Sequence, residues 1–162
     1  MTDLGKSLAL HGGLLLLLLV LQFVLPVYHH GNLARIMVLA VYAAGYNLLF
    51  GYTGLLSLGH ALFFAAGMYG MGLAIAHGDL APAAALLTGL AGGTAVALIV
   101  GLLALRTTGV AFMIVTLMFA QAGYLSLLYF GTWTRGDEGF VIHQAQRVLW
   151  GLDLTAPTIR YF

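Results

Sequence analysis

The stretch GYTGLLSLGHALFF, residues 51–64, interrupts a chain that is otherwise rich in leucine, alanine, valine and phenylalanine. It contains Gly51, Gly54 and Gly59, and a glycine weakens a helix by about 1 kcal/mol relative to alanine. Ser57 and His60 add polar groups to an otherwise apolar region. The stretch therefore predicts a break between two helices.

The composition places this break in a membrane protein. Of the 162 residues, 62% are hydrophobic and 7% are charged, and the mean hydropathy is +1.01. Soluble domains carry about 25% charged residues, so this chain has too few to cover a surface facing water. We predict an all-α, polytopic membrane protein with about five transmembrane helices, one of them broken by the glycine-rich motif.

Apolar runs define the predicted spans, which cover about residues 8–28, 33–50, 61–76, 83–105 and 110–130. We interpret the first as an uncleaved span, because its apolar run is too long for a signal peptide and no small-residue cleavage pattern follows. The spans form a transmembrane region over residues 1–130. The positive-inside rule favours a cytoplasmic N-terminus, with Lys6 and Arg106 inside and Arg35 as the exception.

Residues 131–162 are predicted to form a polar, amphipathic tail at the extracytoplasmic interface, where Trp133 and Trp150 would anchor it. This tail either docks a partner protein or only caps the helix bundle.

The fourth span carries a small residue at every fourth position: Ala81, Ala85, Gly89, Gly93, Ala97 and Gly101. Such rows let helix backbones approach closely in lipid. We interpret this row as a packing surface, with the lining of a pathway as the less favoured alternative.

A broken helix at membrane depth must face protein or a water-filled cavity, because its freed backbone groups need partners. Broken spans mark translocation regions in many carriers. Asn47, Thr53, Ser57 and His60 supply donors and acceptors around the break, and we interpret them as the lining of a polar path. The alternative is that the two hydroxyls bond back to their own helix while His60 faces the headgroups.

The residue content excludes several other functions. The chain has no cysteine, so disulfides, thiolate zinc sites and cysteine nucleophiles are excluded. All five acidic residues lie outside the spans, so Ser57 and His60 lack a third catalytic member and we predict no catalytic residue. His29 and His30 are expected in a headgroup loop rather than in a metal site, and we expect no metal. Six scattered Lys and Arg residues form no patch for nucleic acid.

The sequence also lacks a phosphate-binding GxxxxGK[ST] loop, so we expect no cofactor on this chain, and any work from ATP must come from partners.

Three ordered motifs resemble those of permease subunits of branched-chain amino acid ABC importers. They are NLLFGYTGLLSLGHALFFAAGMYG at 47–70, LRTTGVAFMIVTLMFAQ at 105–121 and TRGDEGF at 134–140. In the last motif, Arg135 stands where the family's Thr-Gly-Gly-x-x-Gly pattern has its first glycine, and Asp137 and Glu138 fill its variable positions with acidic residues, which bears on the substrate subtype. The chain resembles the N-terminal half of such a permease.

The resemblance implies a subunit of a bacterial inner-membrane importer that forms part of the pathway for branched-chain or hydrophobic amino acids. The implied partners are the lipid bilayer, a second permease, two cytoplasmic ATPases and an extracytoplasmic substrate-binding protein. By position, the implied broken-helix residues are Asn47, Gly51, Gly54, Ser57, Gly59 and His60. The residues implied around a second bend are Arg106, Gly109, Phe112 and Thr116.

Two alternatives stay open at this point. One is a permease for a related small solute such as urea or an amide. The other is a non-transporting membrane scaffold or assembly subunit.

Overall fold

The computed structural model describes residues 3–139, 148–149 and 152–153. The main helices are α1 (Asp3–Val24), α2 (Val27–Asn47), α3 (Ala61–Ala76), α4 (Pro82–Ala104) and α5 (Val110–Tyr129). A π-helical turn, Leu48–Tyr52, extends α2, and the short helix α6 (Gly131–Thr134) precedes a 3-10 turn at Gly136–Glu138. Two-residue strands, β1 (Val148–Leu149) and β2 (Leu152–Asp153), pair antiparallel.

The chain divides into two compact units, the first within residues 3–39 and the second within residues 40–153. In the first unit, α1 ends at Val24, before the predicted end at residue 28. Pro26 explains the difference, because a proline disfavours helical geometry in the residue before it and offers no N–H.

The predicted headgroup loop at His29–Asn32 is wrong, because these residues lie within the first turns of α2. His30 is buried, and its Nε2 donates a hydrogen bond of 3.2 Å to the carbonyl oxygen of Leu25. That carbonyl lies at the proline break. The His30 ring therefore has a structural role next to Pro26.

Apolar helices confirm the all-α, polytopic membrane class. Among the described residues, Tyr28–Tyr52, Pro82–Ala104 and Val110–Tyr129 are long and apolar enough to cross a membrane, and Ala61–Ala76 is apolar but shorter. Each of the five predicted spans overlaps one of the helices α1 to α5. Their placement in a bilayer stays a prediction.

The second unit is built on a close contact between α3 and α4. A Cβ atom added to Gly89 would lie 2.8 Å from the Gly67 carbonyl oxygen and 3.0 Å from the Met71 Cβ. One added to Gly93 would lie 3.4 Å from the Gly67 Cα. Ala85 is fully buried. The first half of the small-residue row thus brings the two backbones together.

Toward the C-terminal end of α4, the small-residue row no longer contacts α3. A Cβ added to Gly101 would meet nothing within 4 Å. A helix turns 100° per residue, so a four-residue repeat drifts around the axis and cannot keep one neighbour over five turns. The packing interpretation therefore does not extend to Gly101.

The polypeptide turns sharply after α5, within the TRGDEG motif. The buried Thr134 hydroxyl donates to the carbonyl oxygen of Leu127 at 2.6 Å and accepts a bond from the Gly136 N–H at 3.2 Å. Arg135 has φ +57, and Gly136 and Gly139 also have positive φ. Arg135 occupies the position where the family pattern has glycine, in the left-handed conformation that suits glycine.

Most of the predicted interfacial tail, residues 140–147, 150–151 and 154–162, lies outside the described residues.

We expect Gly89→Leu to lower the free energy of unfolding by about 1–3 kcal/mol, because the new side chain would overlap Gly67 and Met71. Titration with SDS, followed by circular dichroism, measures this energy. Gly101→Leu is the matched control on the same helix, since nothing lies within 4 Å of its Cβ. Equal losses in the two variants would contradict the proposed contact.

We expect Arg135→Gly to raise the free energy of unfolding by about 1 kcal/mol in the same titration, because glycine adopts a positive φ without steric cost. Glu138→Gly is the control, since Glu138 is not among the residues with positive φ. It should leave stability unchanged or lower it. A loss of stability in Arg135→Gly would show that the arginine side chain contributes more than its backbone conformation costs.

Candidate functional site

The glycine-rich stretch forms the predicted break. The π-helical turn ends at Tyr52, and residues 54–57 follow no regular helix before α3 begins at Ala61. Gly54 has φ +71, a conformation that L side chains rarely adopt. The Thr53 hydroxyl bonds back to the Leu49 carbonyl, as the alternative interpretation expected for that residue.

The second half of the break packs directly on α5. Gly59 is buried, and a Cβ added to it would lie 2.6 Å from the carbonyl carbon of Thr116. The Leu58 N–H donates a 3.2 Å hydrogen bond to the Thr116 Oγ1, and that hydroxyl donates to the Met113 carbonyl oxygen at 2.9 Å. Gly59 and Thr116 therefore hold the break against α5. The first position leaves no room for a side chain, and the second supplies a hydroxyl that accepts the Leu58 N–H.

His60 lies in a group of aromatic rings. Its ring centroid is 5.2 Å from that of Tyr42, 5.3 Å from that of Tyr46 and 5.7 Å from that of Phe63. Sequence reasoning missed the two tyrosines. Their spacing of four residues places them on the same face of α2, which was the available signal.

A cavity of about 200 Å³ lies where the break meets α4 and α5. Its lining residues are Leu49, Ser57, His60, Phe63, Ala97, Val100, Gly101, Ala104, Leu105, Phe112 and Thr116. None of these side chains is a carboxylate, a lysine or an arginine. The cavity is therefore an apolar space with a few hydroxyl and imidazole groups.

Two polar atoms of the cavity-lining residues have no hydrogen-bond partner within the described chain: the Oγ of Ser57 and the Nδ1 of His60. Both atoms are buried. A buried polar group without a partner costs about 1–3 kcal/mol, so native structures keep few of them. The Ser57 hydroxyl and the His60 Nδ1 are therefore not hydrogen-bonded to each other.

The sequence-predicted residues separate into two groups. Ser57, Gly59 and His60 come together with Phe112 and Thr116, which were expected at a second bend; Phe112 and Thr116 are buried. The remaining predicted residues, Asn47, Gly51, Gly54, Arg106 and Gly109, are exposed and do not line the cavity.

Gly109 has φ +58 at the start of α5, and with Gly54 it lines a separate cavity of about 200 Å³. The two glycines with positive φ therefore line one pocket, which is separate from the cavity beside the break.

Ala97 and Gly101, predicted as packing residues, line the cavity beside the break. At this end of the small-residue row, the small size of Ala97 and Gly101 leaves room for the cavity. A larger groove of about 470 Å³ runs between α3 and α4, and its lining residues include no titratable side chain. We take the smaller cavity as the candidate site, because two of its lining residues, Ser57 and His60, carry buried polar atoms without a hydrogen-bond partner.

The comparisons with known proteins agree with these observations. Residues 30–148 match the family model described as branched-chain amino acid transport system / permease component. No curated protein and no solved structure matches the chain. The matched range contains the break, the cavity and the turn after α5, and it covers more than half of the chain. The protein therefore belongs to the family of branched-chain amino acid transport permease components.

Proposed function

We propose that this chain is a permease subunit of an ABC importer and forms part of the pathway for branched-chain and other hydrophobic amino acids. Its partners would be a second permease, two cytoplasmic ATPases and an extracytoplasmic substrate-binding protein. The assembly would lie in a bacterial inner membrane, with the N-terminus of this chain in the cytoplasm.

The observation that carries the proposal is the cavity at the break, with its apolar wall and the unpartnered Ser57 Oγ and His60 Nδ1. A broken helix beside a cavity provides polar groups at membrane depth without placing a charge in lipid. Val100 and Phe112 are among the apolar residues that would contact an aliphatic solute.

The proposed mechanism needs an external source of energy. The sequence has no phosphate-binding GxxxxGK[ST] loop, so ATP would be bound and hydrolysed on the partner subunits. Closure of the ATPases would favour one arrangement of the helices around the cavity. Gly54 and the π-helical turn would absorb the change in backbone direction, since both already depart from α-helical geometry.

The experiment that tests the proposal is reconstitution of the chain with its candidate partners in liposomes. Co-purification with an ATPase and a second permease, together with ATP-dependent leucine uptake, would support it. Stable isolation without any ATPase would favour a scaffold.

In such a complete transporter, we expect His60→Ala and Gly59→Leu each to lower leucine uptake at least about tenfold. The first removes the imidazole from the cavity, and the second forces a side chain into the Thr116 backbone. Membrane insertion must be measured in parallel, so that a folding defect is recognised. Normal uptake by both variants would refute a pathway role for the break.

We expect Thr116→Val to lower uptake about five- to tenfold, because valine keeps the shape of threonine but cannot accept the Leu58 N–H. Thr116→Ser is the matched control, since it retains the hydroxyl and should stay within about twofold of the parent chain. The same initial-rate assay measures both. A valine variant as active as the serine variant would show that the hydrogen bond is dispensable.

A further inference from the structure

Helix α5 has two faces with opposite surroundings. The inner face carries Phe112 and Thr116, which are buried and line the cavity. A Cβ added to Gly123, on the same side, would overlap the Leu62 side chain of α3. Gln121 follows Phe112 by nine residues, and a helix turns about 100° per residue, so Gln121 lies on the opposite face. That outward face is exposed at Gln121.

Six residues form a continuous row along the outward face of α5, which we name the outer seam. They are spaced alternately three and four residues apart, and all of them are exposed: Ala111, Ile114, Met118, Gln121, Leu125 and Leu128. An average spacing of 3.5 residues is the pattern by which helices pack in a left-handed coiled coil, and most transmembrane helix bundles share that geometry. The outer seam therefore has the pattern of a helix–helix contact along most of α5.

Gln121 is the polar member of the outer seam. It is the twelfth of the 20 residues of α5, a helix long and apolar enough to cross a membrane, so its side chain would lie near the middle of the bilayer. No described residue forms a hydrogen bond with this side-chain amide. Lipid tails offer no hydrogen-bond partner, and polar side chains at this depth almost always face protein or water. We therefore expect a second helix to cover the outer seam.

The chemistry of the outer seam favours a second copy of this chain as its cover. Copies inserted in the same orientation and related by a twofold axis along the membrane normal place their α5 helices parallel, so each seam residue lies near its own counterpart. A carboxamide has both donors and an acceptor, so two Gln121 side chains can exchange two N–H···O bonds and satisfy each other. None of the six seam residues is charged, so the symmetric contact brings no like charges together.

We infer that the outer seam of α5 is a symmetric interface between two copies of this chain, centred on a hydrogen-bonded pair of Gln121 side chains. The contact goes beyond the proposed function, because it needs neither the ATPases nor a solute. It also leaves the opposite face of α5, with Phe112 and the cavity, free of the second copy.

Cross-linking at single cysteines tests this interface directly, because the chain has no cysteine of its own. The full chain carries Met118→Cys or Leu125→Cys in the outer seam, and the membranes that contain it are treated with copper phenanthroline. A disulfide needs two Cα atoms within about 7 Å, so only residues that face their counterparts should link. Ala122→Cys on α5 and Leu102→Cys on α4 are the controls, since both positions are exposed and outside the seam. We expect at least about fivefold more linked dimer from the seam cysteines than from the controls.

A second measurement tests the amide pair. Gln121→Leu keeps a side chain of similar size but removes the amide. Energy transfer between donor- and acceptor-labelled copies, titrated against lipid in phosphatidylcholine vesicles, gives the dissociation constant, which we expect this change to raise about three- to tenfold. Thr94→Val is the control, because Thr94 is also an exposed polar residue midway along a membrane-spanning helix but lies on α4. It should stay within about twofold of the parent chain.

Three results would overturn the inference: equal linkage at the seam and control positions, seam cysteines that link only to a different protein, or an unchanged dissociation constant in Gln121→Leu. Leucine uptake by the reconstituted transporter would still test the proposed function separately, because a chain that does not pair with itself could still assemble with a second permease.

Discussion

The contact between Gly59 and the backbone of Thr116 is the constraint on which the site depends. A chain that leaves helical geometry among apolar side chains must find partners for its backbone groups. Here the Thr116 hydroxyl accepts the Leu58 N–H, and the absence of a side chain at Gly59 allows the two backbones to approach closely enough for that bond. The same contact places Ser57 and His60 beside Phe112, so the cavity forms as a consequence of how the break is held.

The polar side chains that line the cavity are the hydroxyls of Ser57 and Thr116 and the imidazole of His60, and no carboxylate, lysine or arginine is among the lining residues. Hydroxyl and imidazole side chains carry hydrogen-bonding atoms into an apolar region at a far smaller cost than a carboxylate or an ammonium group. The aromatic rings of Tyr42, Tyr46 and Phe63 surround the His60 ring and restrict its orientation. An apolar lining with a few uncharged polar side chains is consistent with membership of the family of branched-chain amino acid transport permease components.

Much of the fold could be predicted because its signals are local. Long apolar runs identify the helices, and Gly51, Gly54 and Gly59 identify the break. The helix boundary at Pro26 was missed because the apolar run continues past it, although the steric effect of proline decides the geometry. The cavity was predicted only in part, since the meeting of Ser57 with Thr116 and of His60 with Tyr42 depends on tertiary packing. Arg106 and Gly109 were expected near the pathway because they share a motif with Phe112, but sequence proximity does not bring them to the same face.

The unpartnered polar atoms at the site also affect the relative free energies of the conformations in a transport cycle. In the conformation described here, the Ser57 Oγ and the His60 Nδ1 are buried without hydrogen bonds, at a cost of about 1–3 kcal/mol each. A conformation that exposes them to water or to a solute removes this cost, and each such difference changes the ratio of two conformations roughly 5- to 150-fold. In the proposed transport cycle, the energy source outside the chain would act on this ratio.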